Sequence, residues 1–397
     1  MLAKPRRMSL ARSMLYLVAI SGAAVSGSAS GATYIVAPDG SGDYPTIQAA
    51  LDAADTGDII ELANGDFEGD GNYLLDPMGK ELTIRSQSGL PESCWIYASS
   101  GGGEWQGYPC FYIHSGEGPG LQIEGVSMHG PPSGGGASAL ILDASPIFRN
   151  CRFIDNQVEF SGGAVACDGL SSPQFEGCVF DSNAALGTYS EGGAATLSFG
   201  GRFESCVFRD NSARSSGAVH CDFSPSGGSV EFDACVFIDN SATEGSGGAI
   251  GGGGGSHFLA VRNSTFMGNW SELYGAAISY ASSIDNTIIT GSFSENPLAG
   301  WIVGSVGAVN CTNIFGNYNG GDDESWEGVL AEYAGVNGNL SLDPQFCGPE
   351  GDNYYLQSDS PCAPGNNSCG VLIGALPVGC EMVSTQDASW GAIKALY

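Results

Sequence analysis

FRNCRFIDN (148–156), FEGCVFDSN (175–183), FESCVFRDN (203–211) and FDACVFIDN (232–240) are four copies of one nonapeptide, and VRNSTFMGN (261–269) is a fifth, worn copy. They start 27, 28, 29 and 29 residues apart. A second signal runs between them: GGAV (162–165), GGAA (192–195), SGAV (216–219), GGAI (247–250) and the weaker YGAAI (274–278). Self-similarity at this period is the mark of a stacked repeat. In each copy the apolar residues fall at offsets 0, 3 and 5. The step of 2 is the strand period, and the step of 3 demands a bend that returns the next apolar residue inward. No copy carries a 3.6-residue period, so a helical solenoid is disfavoured. Short β-branched and aromatic runs cut by glycine favour strands. Coils of this length, stacked so that each strand pairs in parallel with its copy above, place equivalent residues about 4.8 Å apart. The sequence therefore predicts an all-β, single-stranded parallel β-helix.

Three ladders follow from that stacking. Phe153, Phe180, Phe208, Phe237 and Phe266 form an inward aromatic stack. Asn156, Asn183, Asn211, Asn240 and Asn269 mark a corner, where Asn tolerates the left-handed conformation and its amide can bond the next Asn. Cys151, Cys178, Cys206 and Cys235 fall within disulfide reach of their neighbours at about 4.8 Å. They are read here as buried reduced thiols acting as small hydrophobes. Cys167 and Cys221 lie two coils apart, too far to bond each other.

The five FxxN tetrapeptides (FIDN, FDSN, FRDN, FIDN, FMGN) interleaved with GGA[VAI] resemble the repeat of the chlamydial polymorphic outer-membrane proteins and, more widely, secreted right-handed parallel β-helix proteins of the pectate-lyase-like superfamily. The resemblance implies a right-handed coil at a cell surface or outside the cell. Nothing after Cys380 is long enough for an autotransporter barrel.

Residues 1–32 carry Lys4, Arg6, Arg7 and Arg12, then an apolar run from Met14 to about Val25, then small residues, the pattern of a signal peptide and hence of export. Its removal leaves 9 Lys+Arg against 43 Asp+Glu, a net charge near −34. That excess argues against nucleic acid and anionic membranes as partners. No later stretch can span a bilayer as a helix. The β-helix domain is expected over 33–380, with an N-terminal cap at 33–65, a repeat core at about 121–317 and a C-terminal cap at 320–380, followed by a tail at 381–397. In the N-terminal cap, Thr46–Ala54 reads as a short amphipathic helix between strands Tyr34–Val36 and Ile59–Leu62. This segment resembles the cap of pectin-active β-helix enzymes, pectin methylesterases included, but the esterase's later aspartate motifs are missing. Ser86–Gly120 reads as a projecting insertion with a Cys94–Cys110 disulfide. Cys347, Cys362, Cys369 and Cys380 read as two disulfides closing the C-terminal cap, with three pairings open. The DPxF…YxLxxxSPC…IGA string around them resembles the end of many bacterial secreted β-helix proteins.

Candidate chemistry is scattered. Asp66, Glu68 and Asp70, and Asp322, Asp323 and Glu324, are the acidic clusters that could take calcium, although GDFEGDGN lacks the closing Glu of an EF-hand loop. Arg209, Asp210, Arg214 and Asp222 are the candidates for a catalytic groove. Asp155, Asp210 and Asp239 recur before the corner Asn, which argues for turn chemistry. Trp105 with Tyr108, Trp270 with Tyr274, and Trp326 with Tyr333 are aromatic pairs able to stack on sugars. His114, His129, His220 and His257 are isolated in sequence. The leading expectation is a secreted or cell-surface protein that binds or scaffolds without catalysis, glycan-contacting or adhesin-like, touching an extracellular glycan or cell-surface component. The alternative is a polysaccharide lyase or glycoside hydrolase.

Overall fold

The computed structural model describes residues 31–99, 107–130, 137–222, 228–252, 259–296, 301–319, 322–323 and 325–380. Residues 1–30, the segment 381–397, Trp105, His257 and Glu324 lie outside them. The chain winds as a right-handed parallel β-helix whose walls are four sheets. The first sheet has 11 strands, from Thr33–Val36 to Val309–Asn310. At about 4.8 Å per rung it is about 48 Å long. The second has 10, from Gly65–Phe67 to Asn313–Phe315. The third has 8, from Gln157–Val158 to Asp322–Asp323, the last one folding back antiparallel. The fourth has 6, from Phe111–Ile113 to Ile250–Gly252. Eight first-sheet strands run from Gln122–Glu124 onward, as the repeat spacing requires.

The registers are those of the repeat. Phe153 pairs with Phe180, Phe180 with Phe208, Phe208 with Phe237 and Phe237 with Phe266. Their rings stack at 4.7, 4.7, 4.6 and 4.5 Å, nearly parallel. Phe148, Phe175, Phe203 and Phe232 build a second stack at 5.2, 4.8 and 5.0 Å, edge-on to the first. All are buried. Each contributes about 1.5–3 kcal/mol by burial, with about 0.5–1.5 kcal/mol more from ring geometry.

The bends have a backbone cause. Asn150, Gly177, Ser205, Ala234, Asn263, Asn286 and Cys311 hold φ between 47° and 60°, one residue before the inward Cys or its equivalent. A second left-handed residue precedes each corner Asn: Asp155, Ser182, Asp210, Asp239 and Gly268. The corner Asn itself is not left-handed, which corrects the sequence reading. It is chosen for its amide. Asn156, Asn183, Asn211 and Asn240 each donate Nδ2–H to Oδ1 of the next Asn at 2.7–2.9 Å, and that Oδ1 also accepts the backbone N–H at 3.1 Å.

The helix is Ile47–Ala53, capped by Thr46 Oγ1 and burying Ile47, Ala50 and Leu51. Its flanking strands, Thr33–Val36 and Ile59–Leu62, are rungs of the first sheet. Ser86–Gly120 is not a projecting insertion, because Cys94–Tyr97 and Phe111–Ile113 are rungs of the second and fourth sheets. Cys94 and Cys110 consequently sit on different walls, and both are free thiols. The disulfides are Cys311–Cys369 and Cys347–Cys380, while Cys362 is a buried thiol that accepts from Asn313 Nδ2 at 3.2 Å. The Cys151–Cys235 ladder is reduced throughout, with Cys151, Cys178, Cys206 and Cys235 pointing Sγ at carbonyls 3.3–3.4 Å away. Among the described residues no helix is long and apolar enough to cross a membrane.

Candidate functional site

The outer face of the second sheet differs along its length. Outward residues run Tyr97, His129, Ile154, Asp181, Arg209, Ile238 and Met267 in register from rung to rung. The C-terminal cap covers the far end: Tyr354, Ala375 and Leu376 pack against Val236 and Ile238, and Leu356 and Ile373 against Ile288. The near end stays open and aromatic.

There a cleft of about 380 Å³ is lined by Glu68, Gly69, Tyr73, Tyr97, Ala98, Ser99, His129 and Gly130. Each side chain has a structural reason to be there. Tyr97 and His129 are the last residues of neighbouring strands, so alternation turns both outward, their rings 5.7 Å apart. Trp95, two residues before Tyr97, points the same way and stacks on it at 6.1 Å. Arg152 lies 5.9 Å over the Trp95 ring, a cation–π contact two rungs long. Burial holds its guanidinium below the usual range. Tyr73 stacks on Tyr108 at 5.8 Å and 15°, and an antiparallel bridge from Ser99 to Tyr108 holds that second residue. The Tyr73 hydroxyl donates to Asp70 Oδ1 at 2.6 Å, and this bond, then burial, pushes the phenol up. Burial, then the Asp66 and Glu68 carboxylates, push the Tyr97 phenol up too. Both phenols stay neutral donors at pH 7. His129 Nδ1–H donates to the Gly130 carbonyl at 2.6 Å, which turns Nε2 into an acceptor.

The cleft thus unites one candidate read from the sequence, Glu68, with three residues the sequence reading passed over, Tyr73, Tyr97 and His129, and a second candidate, Tyr108, stacks on Tyr73. The apparent insertion hid the strand that aligns Tyr97 with His129. The remaining candidates disperse. Trp270 lies on the third sheet, and Tyr274 follows it on an exposed loop. Trp326 folds onto the core, its Nε1–H bonded to the Leu340 carbonyl at 3.1 Å. Asp322 and Asp323 are described by backbone alone. Among the described residues one group of three or more His, Cys, Asp or Glu has its ligand atoms within 4.8 Å of one another, and Asp66, Glu68 and Asp70 are not in it.

The catalytic candidates also separate. Arg209 pairs with Asp181, Asp210 and Asp352 beside the C-terminal cap. Arg214 pairs with Glu244 at 3.0 Å and lies over the Tyr189 ring. Asp222 Oδ1 lies 3.1 Å from His220 Nε2 on the fourth sheet. Arg149, Arg202 and Arg262 belong to an ion-pair row on the first sheet with Glu124, Glu176, Glu204 and Glu231. Arg209 and Asp210 stay together at the second sheet, while Arg214 leaves the coil at the third and Asp222 at the fourth, so no shared groove gathers all four.

Residues 94–260 match the family described as right handed beta helix region. No curated protein matches the sequence. Among solved structures, the chain is similar to pectate lyase Pel9A, at 16% identity over 88% of this chain and 97% of that one, with a TM-score of 0.46. It is similar to a rhamnogalacturonan lyase at 15% identity over 80% and 90%, TM-score 0.44. It is also similar to the pectin methylesterase of Aspergillus niger at 16% identity over 80% and 92%, TM-score 0.40. Likeness at this level carries no reaction, substrate or residue role over to this chain.

Proposed function

We propose that the chain is an exported, non-catalytic glycan-binding β-helix that holds a neutral extracellular polysaccharide in the Tyr73–Tyr97–His129 cleft. The observation that supports this reading is one open concave site lined by the Tyr73 and Tyr97 rings, with Tyr108 and Trp95 stacked on them and the Tyr97 phenol a neutral donor. Rigid aromatic faces with a few fixed polar groups are what a sugar site requires. The described lining holds no Lys or Arg and one carboxylate, Glu68. With a chain net charge of −30, that favours a neutral polymer over a polyuronate. A glycoside hydrolase needs two carboxyl groups flanking the scissile bond, and the described lining offers one. The FxxN and GGA[VAI] repeats resemble those of chlamydial polymorphic outer-membrane proteins, which supports display at a cell surface or release from it.

The test is retention of the chain without residues 1–32 on immobilised neutral and acidic polysaccharides, with Tyr97→Ala and Tyr73→Ala alongside. Each variant should bind a neutral glycan about tenfold or more weakly, roughly 1.4 kcal/mol, at unchanged melting temperature. Absence of retention on every polymer, or retention indifferent to both tyrosines, removes this reading. Release of unsaturated or reducing-end products would move the assignment to a lyase or hydrolase.

A further inference from the structure

At the fourth sheet the repeat is broken at Ser216, and the break meets two residues of a varying row, His220 and Gly251. Position 216 is the left-handed position that opens each GGA motif. Gly162, Gly192, Gly247 and Gly275 hold φ of 76°, 66°, 77° and 68° there, and Ser216 holds 59°. A side chain in that conformation is disfavoured relative to glycine. In the coil above, Gly251 stands in register with His220, and a Cβ on it would collide with Ser216 Oγ. In the coil below, the residue in register with His220 is Thr196. A serine where glycine belongs is singular in the repeating glycine row, and it meets an outward row that varies from coil to coil, Tyr112, Leu140, Ala166, Thr196, His220 and Gly251, in which His220 brings an imidazole and Gly251 clears room for the serine.

Together they position an imidazole. Ser216 Oγ lies 2.8 Å from His220 Nδ1. His220 Nε2 lies 3.1 Å from Asp222 Oδ1 and 3.2 Å from Glu191 Oε2. The three ligand atoms fall within 4.8 Å of one another. The histidine is buried with its side chain 6% exposed, while Glu191 and Asp222 reach solvent. A cation could therefore enter from the carboxylate side and keep water on its open face.

We propose that Glu191, His220 and Asp222 form a three-ligand site for a first-row divalent transition cation of the zinc type, with Ser216 as the positioning residue. With Nδ1–H donating to Ser216 Oγ, the Nε2 lone pair faces the two carboxylates, the tautomer a metal-bound imidazole needs. One nitrogen and two carboxylates plus water match zinc or cobalt at an open site, whereas calcium takes oxygen donors alone. The site lies on a different sheet from the proposed glycan cleft and stands independently of it.

Co²⁺ and Zn²⁺ titrations of the chain, followed by the visible Co²⁺ bands and by calorimetry, test this. One equivalent is expected, displaced from Co²⁺ to Zn²⁺. H220T, which restores the residue of the coil below, should weaken binding at least about 100-fold, and D222N about tenfold or more. S216G restores the repeat's glycine and leaves the metal-free chain at least as stable. It should nonetheless weaken binding roughly 10–100-fold, the range found on losing an outer hydrogen bond to a ligand, and alter the Co²⁺ spectrum. No saturable ion in the unsubstituted chain, or equal affinity in H220T, overturns the site. Equal affinity and an unchanged spectrum in S216G overturn the role of Ser216.

Discussion

Single residues carry the turns of this coil, and the least suited of them offers a direct check. Ala234 holds φ at 54° where an earlier coil uses Gly177 at 60°. Alanine pays about 1–2 kcal/mol for that conformation, so A234G should raise stability by up to about 1 kcal/mol, read from the denaturant midpoint. Asn211 is the opposite case. Its Oδ1 accepts from Asn183 N–H and Nδ2, and its own Nδ2 donates to the Phe180 carbonyl and to Asn240 Oδ1. N211A strips buried groups of their partners at about 1–3 kcal/mol each and should cost roughly 3 kcal/mol or more by the same measurement. The free thiols belong to this scale as well. Burial pushes Cys94 and Cys110 up to about 12, and raises Cys167 and Cys221 as well. The nine unpaired cysteines should therefore resist a thiol reagent in the native chain and all react in guanidinium.

At the scale of elements, one disulfide ties the C-terminal cap to the last rungs and a second closes the cap on itself. Cys311–Cys369 closes 58 residues and Cys347–Cys380 closes 33. Loop-closure entropy makes each worth up to about 4 kcal/mol. Replacing Cys311 and Cys369 together by serine should lower the melting temperature and expose the cap to protease before the coil. Beside the cap, Asp239 has its carboxyl raised by partial burial and then by the Asp210 and Asp352 carboxylates. A raised folded value means the protonated form is favoured on folding. Its contribution is complete below the free-carboxylate value near 3.8 and is lost as pH rises through the folded one. D239N, which keeps a residue tolerant of φ near 52°, should raise the melting temperature slightly at pH 7 and leave it unchanged at pH 3.

Across the whole molecule, the paired phenylalanine stacks tie the middle coils into one body. F208A removes a ring that stacks on Phe180 and Phe237 and touches Phe203 and Phe232 edge-on. It should cost about 3–5 kcal/mol, more than the same change in an end coil.

The repeat made the coil, its register and its ladders legible before any coordinates, because strand period and stacking distance leave few ways to bury Phe, Cys and Asn at offsets that recur. The cap disulfides were half legible. Four cysteines at the terminus pointed to closure there, but Cys311 looked like any residue after a strand, and only the cap's path brings Cys369 to it while leaving Cys362 buried in a packed corner. The candidate sites resisted most. Tyr73, Tyr97 and His129 come from three different coils, and Glu191, His220 and Asp222 from two. The sequence alone determined what repeats. The tertiary structure decided which of the non-repeating side chains meet, because contacts between coils depend on the wall at which each residue leaves the strand, and linear spacing does not record that.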